Sequence, residues 1–115
     1  ATVPGDPVTM AGVVARLDCP PPPDPNGPGN FYLGTFDYPA GLGSATPEAA
    51  LRSQLEEWPG ADPASFVATA RSASAVRYEN RHAAVIVAGT EGALWVVESV
   101  AYCVPVADEW RAGRG

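Results

Sequence analysis

Leu94-Trp95-Val96-Val97-Glu98-Ser99-Val100-Ala101-Tyr102, with Cys103 after it, is the stretch that decides how this chain folds. It is the longest β-leaning run in the sequence and it is apolar at both parities. Leu94, Val96, Val100 and Tyr102 fall on one face, and Trp95, Val97, Ala101 and Cys103 on the other. A strand that is apolar on both sides belongs inside a sheet with a cover on each face. Just upstream, Gly89-Thr90-Glu91-Gly92 has the composition of a hairpin loop. Residues 82–88 and 75–79 pair across a tight Asn80-Arg81 turn, where asparagine tolerates positive φ. Residues 65–71 alternate as a further strand, and Ser72-Ala73-Ser74 suits a bulge or bend.

The covers come from the N-terminal half. Thr46-Pro47-Glu48 is the clearest helix start in the chain: an N-cap, then proline at the first helical position, then an acid in the first turn. The helix is expected from residue 47 to about residue 58, stopped by Pro59-Gly60, with Leu51, Leu55 and Trp58 on one stripe and Glu48 and Arg52 paired on the wet side. Residues 31–38 form an aromatic strand and residues 8–17 read as an apolar edge strand. The helix covers one face of the sheet and the N-terminal segment the other. The fold class is therefore α+β, an antiparallel meander of about four to five strands packed against one helix and closed by one disulfide. The 115 residues make one domain, with loose ends at 1–7 and 111–115 and a proline-rich loop at 19–30.

Cys19 and Cys103 bracket nearly all of this. In a small acidic domain, two cysteines suit a structural disulfide. Two buried free thiols are the second reading. A metal or catalytic cysteine is the third, and it lacks a C-x-x-C motif and has one histidine to assist it. A bridge over this span contributes up to about 4–5 kcal/mol in the chain-entropy model.

Thirteen acids face seven arginines and no lysine, a net charge of −6, which argues against nucleic acid because phosphate backbones require a cationic face. No apolar run approaches the roughly 20 residues of a membrane span, so a soluble chain is expected. It begins Ala1-Thr2-Val3-Pro4, as a processed or trimmed protein would. The run Pro20-Pro21-Pro22-Pro23 favours polyproline II, read here as a stiff surface loop tethered by Cys19, and alternatively as a ligand for aromatic grooves.

Gly34-Thr35-Phe36-Asp37-Tyr38, Thr46-Pro47-Glu48-Ala49-Ala50 and the Trp95 to Cys103 strand together resemble small exported proteins of high-GC Gram-positive bacteria. Those show a G-x-x-D-Y strand, a T-P-E-E-A helix and a terminal G-W-V-V-E-S-x-x-x-C strand. The resemblance spans roughly residues 31 to 103 and departs where Ala93-Leu94 stands in place of the glycine before the tryptophan. It implies export and the disulfide, and no chemistry.

Candidates for chemistry are few. Gly41-Leu42-Gly43-Ser44 lies where a phosphate loop would, but no lysine follows, Pro47 removes a donor and Glu48 repels anions, so it reads as a turn before a capped helix. His82 is the one ready general base at neutral pH, without any nucleophile elbow in the sequence, and reads as a wet turn-end histidine. Glu98, set mid-strand among apolar residues, reads as a structural carboxylate that reaches the sheet edge or meets an arginine (Arg71, Arg77 or Arg81), and alternatively as a buried functional carboxylate with a raised pKa. Trp110 either docks as a terminal plug or stands as an exposed anchor. The reading is an exported, extracellular or envelope-attached domain, monomeric or weakly dimeric, that binds a protein or cell-envelope partner. The contacts assigned to it are the proline loop and Phe31, Tyr32 and Tyr38, with Trp110 as a further candidate. No cofactor, metal or catalysis is expected. The alternatives are a small hydrolase-type enzyme using His82 and a passive accessory domain of a larger exported protein. A concave pocket holding His82 and a second polar group would favour the enzyme, and an exposed aromatic patch the binder.

Overall fold

The computed structural model describes residues 8–19, 30–36, 43–89 and 94–113. Its centre is one antiparallel five-stranded sheet in the order β1-β5-β4-β3-β2. The strands are β1 (Phe31–Thr35), β2 (Val67–Arg71), β3 (Ala75–Glu79), β4 (Ala83–Gly89) and β5 (Trp95–Cys103). Three helical elements surround it: a single turn α1 (Val13–Arg16), then α2 (Pro47–Leu55) and α3 (Val104–Arg111). A 3-10 turn at Pro63–Ser65 leads into β2. The expected α+β architecture holds, and β5 lies inside the sheet between β1 and β4.

The helix start forms as its residues dictate. Thr46 is extended, and its hydroxyl accepts the Ala49 N–H at 3.1 Å, with Pro47 at the start of α2. Leu51, Leu55 and Trp58 all bury against the sheet. Glu48 and Arg52 do not pair: they are absent from the four ion pairs among the described residues. The β3–β4 turn rests on the Asn80 side chain, whose Oδ1 accepts the N–H groups of His82 at 2.9 Å and Ala83 at 2.8 Å.

Three expectations change. Residues 8–17 do not make an edge strand. Gly12 takes φ +76°, and Val13 and Leu17 donate to the carbonyls of Met10 and Val13, which closes a helical turn. This segment is a strap across the back of the sheet, where Val13, Met10 and Leu17 pack on Ala84 and Ala101. Both alanines are fully buried, and their small size lets the strap approach closely. The N-terminal segment therefore does supply the second cover, as a strap and not as a strand. Secondly, residues 104–111 form a further helix, α3, with Pro105 tolerated in its first turn. Arg111 thus ends a helix and does not begin a loose tail. Thirdly, β5 carries a bulge. Ile86 pairs with Ser99 but Val87 pairs with Val97, so Glu98 is an extra residue and the facing reverses there. Val97 and Val100 share the helix-side core, joined by Trp95 and Tyr102, whereas Ala101 faces the strap.

Two attachments hold the strap. Cys19 is bonded to Cys103, with sulfurs 2.07 Å apart and Cα atoms 5.1 Å apart. Glu79, buried at 7% exposure, accepts from Arg16 at 3.3 and 3.2 Å, pairs with Arg77 at 3.0 Å and takes the Thr69 hydroxyl. Arg77 in turn donates to the Thr9 carbonyl at 2.7 Å. Burial pushes the Glu79 carboxyl up, but the Thr69 hydroxyl and the two arginines outweigh it and hold the group below its ordinary value. Among the described residues no helix is long and apolar enough to cross a membrane.

Two tests follow from this packing. Trp58 is 1% exposed at the junction of α2, α3 and the sheet, so Trp58→Ala should lower the unfolding free energy by about 3–5 kcal/mol in urea titration. Glu79 has a lowered folded-state pKa, so its contribution is present above the unfolded value and is lost as the pH falls through the folded one. Stability should therefore decline below about pH 4.3, the unfolded glutamate value. Glu79→Gln should lower stability at neutral pH and flatten that acid limb, measured by urea unfolding from neutral to acid pH.

Candidate functional site

Tyr32 on β1 and Tyr102 on β5 are cross-strand partners, and the pleat sends both side chains to the helix face. Their rings stack at 5.2 Å with 29° between planes. Trp58, delivered by the turn after α2, meets the Tyr102 ring edge-on at 5.4 Å and 75°. Arg111, at the end of α3, places its guanidinium 5.3 Å from the same ring centroid and donates to Tyr102 Oη at 3.0 Å. Its other arm pairs with Asp108 at 3.1 Å. These groups border an open cleft of about 380 Å³, which Phe36, Gln54 and Glu57 also line. Aromatic planes with a few polar rim groups give an arrangement that grips a planar or apolar group and orients it by hydrogen bonds.

Gly34 shapes this cleft. A Cβ there would lie 2.5 Å from Tyr32 Oη and 2.7 Å from its ring, so glycine is what lets Tyr32 lie down along its own strand. Tyr32 is 45% exposed and its ring can swing away, so the effect of a methyl falls on the stack and not on the core.

The aromatic residues singled out in the sequence separate in space. Tyr32 is in the cleft. Phe31 is its neighbour in a strand and faces the opposite side of the sheet, 44% exposed. Tyr38 and the proline loop lie outside the described residues. Trp110 is not an exposed anchor: it is 6% exposed and packed against Trp58, Phe66 and His82. Glu98 is not buried either. It sits on the β5 bulge with its side chain exposed and in none of the ion pairs among the described residues, while its carbonyl accepts the Phe36 N–H at 2.9 Å. Of the arginines proposed for it, Arg77 pairs with Glu79 and Arg81 with Asp18 at 2.7 Å. The buried carboxylate is Glu79, one residue inside the turn, and only strand pairing reveals that position. Trp58, Tyr102 and Arg111 were not legible as site residues, because their convergence depends on the β1–β5 register and on a helix the sequence reading did not contain.

His82 borders a second cavity, of about 470 Å³, with Trp110, Asn80, Arg81, Ser65 and Asp62. Its Nδ1 lies 2.9 Å from the Asp18 carbonyl, which can only accept. The neutral ring therefore carries its proton on Nδ1, leaving Nε2 with a lone pair. The neighbouring polar groups satisfy one another: Ser65 Oγ donates to the Asp62 carbonyl at 2.6 Å and accepts from Asn80 Nδ2 at 3.1 Å. Among the described residues no hydroxyl or carboxylate hydrogen-bonds Nε2, and no group of three metal-ligating side chains occurs. Compared with protein-family models, with curated proteins and with solved structures, the chain matches none.

Gly34→Ala tests the cleft without touching the core. The thermal midpoint should stay close to that of the parent, while the Tyr32 and Tyr102 ring resonances lose the mutual ring-current shifts of a stacked pair. Unchanged ring shifts would show that the glycine does not hold the stack.

Proposed function

We propose that this chain is an exported, non-catalytic binding domain whose aromatic cleft receives a protein or cell-envelope partner. The observation that carries the reading is the Tyr32–Tyr102 stack, with Tyr32 exposed, Tyr102 half-buried and Arg111 over the Tyr102 ring, lining an open cleft. Stacked aromatics with a cation at the rim give large contact area at little entropic cost, which is the composition of binding hot spots. The disulfide suits an oxidising compartment, and export rests on that and on the resemblance of residues 31 to 103.

The test is a heteronuclear NMR titration of the full chain with solubilised peptidoglycan fragments and with secreted proteins of the producing cell, each added separately. Binding should shift Tyr32, Tyr102 and the Trp58 indole N–H. Tyr32→Ser should weaken it by about tenfold or more, with the fold intact. Binding that leaves these resonances still would place the contact elsewhere.

A hydrolase at His82 is the second reading, favoured by one observation: the cavity is concave and holds His82 beside further polar groups. Against it stands the Ser65 hydroxyl, whose proton is committed to the Asp62 carbonyl. Turnover of activated esters that vanishes in His82→Gln would decide for the enzyme.

A further inference from the structure

We propose that the outer edge of β1 pairs with β1 of a second copy of this chain, antiparallel about a two-fold axis at Leu33. The proposal is independent of the binding reading, because it uses the edge of the strand and not the cleft.

The ladder itself assigns the free edge. The Val104 N–H donates to the Asn30 carbonyl at 2.8 Å and the Phe36 N–H donates to the Glu98 carbonyl at 2.9 Å, so even-numbered residues of this segment bond to β5. In an antiparallel pair the bonding residues alternate, so the N–H and C=O groups of Phe31, Leu33 and Thr35 point away from β5. Among the described residues no strand pairs with that edge.

Those outward groups are self-complementary. A two-fold at Leu33 sets Leu33 opposite Leu33 of the second copy, and Phe31 opposite its Thr35. Every facing pair then matches an outward donor with an outward acceptor. The intervening pair is Tyr32 opposite Gly34 of the second copy, which sets no two bulky side chains against each other.

The second copy is the favoured occupant because nothing on β1 discourages one. Natural edge strands carry charge, proline or a bulge to prevent edge-to-edge pairing. The opposite edge has two of these, a bulge between Ala68 and Ala70 and Arg71 at its end. Phe31–Thr35 has neither charge, proline nor bulge, and it exposes Phe31, Tyr32 and Leu33 at 44%, 45% and 50%. An uncharged strand also brings no like charges together when two chains of net charge −6 meet. Pairing would make one ten-stranded sheet. Its axis runs perpendicular to the sheet, so both helix layers, and both clefts, lie side by side on one surface.

The experiment is sedimentation equilibrium of the full chain over a wide concentration range, paired with amide hydrogen exchange. A concentration-dependent dimer is expected. The amides of Phe31, Leu33 and Thr35 should gain protection with concentration, while those of Tyr32 and Gly34, bonded to β5, stay protected throughout. Leu33→Pro removes an outward N–H at the axis and spares the β5 ladder, so it should weaken dimerisation by about tenfold or more. Leu33→Lys, which sets two cations at the axis, is the second variant should the proline disturb the strand. Val67→Lys on the opposite edge should change nothing. A monomer at every concentration, a dimer insensitive to both Leu33 variants, or one abolished by Val67→Lys would overturn the proposal.

Discussion

A strand that is apolar on both faces has to be covered on both, and β5 imposes that constraint on the rest of the molecule. The helix side is closed by α2, α3 and the Trp58–Trp110 pair, which bury Val97 and Val100. The back is closed by a short strap that contributes Val13, Met10 and Leu17. The strap packs Val13, with Met10 and Leu17 partly buried, onto Ala84 and Ala101. It is stapled at Cys19–Cys103 and clamped by the Glu79 carboxylate through Arg16, with Arg77 reaching back to the Thr9 carbonyl. The disulfide joins Cys19 of the strap to the end of β5, so both attachments hold the strap to the sheet.

The same device positions the two cavities. Asp18, one residue before the disulfide, receives His82 Nδ1 and pairs with Arg81, which sets the rim of the His82 cavity. On the far side of Cys103, α3 starts immediately and carries Trp110 into the core and Arg111 over Tyr102. One helix thus supplies both a core plug and a rim cation for the aromatic cleft. The bulge at Glu98 lets this happen. By reversing the facing of β5 it puts Tyr102 on the helix side, opposite Tyr32. Were residues 95–103 to alternate regularly through Glu98 with no bulge, Tyr102 would face the side opposite Val97 and no cleft would form.

Edge management is uneven in this sheet. β2 is blunted by its bulge and by Arg71, whereas β1 is uncharged and aromatic. An unblunted edge is a liability unless something occupies it. It adjoins the cleft, so whatever pairs there bears on access to Tyr32 and Phe36.

Much of this was determined by the sequence itself. The interior placement of β5, the β3–β4 hairpin at Asn80, the capped helix at Thr46 with its Leu51, Leu55 and Trp58 stripe, and the need for two covers follow from local patterns of period two and period 3.6. Those patterns are short-range, and a single strand or helix carries them. The tertiary structure alone decided the rest. A bulge changes side-chain parity without any residue that announces it, so the faces of β5 and the exposure of Glu98 could not be read in advance. Residues 8–17 became a strap with one helical turn because Val13, Met10 and Leu17 could cover Ala84 and Ala101 on the back of the sheet, a contact between distant segments. The cleft joins residues 32, 58, 102 and 111, which approach one another through strand register and helix docking, and register is a property of pairs of segments that no single segment encodes.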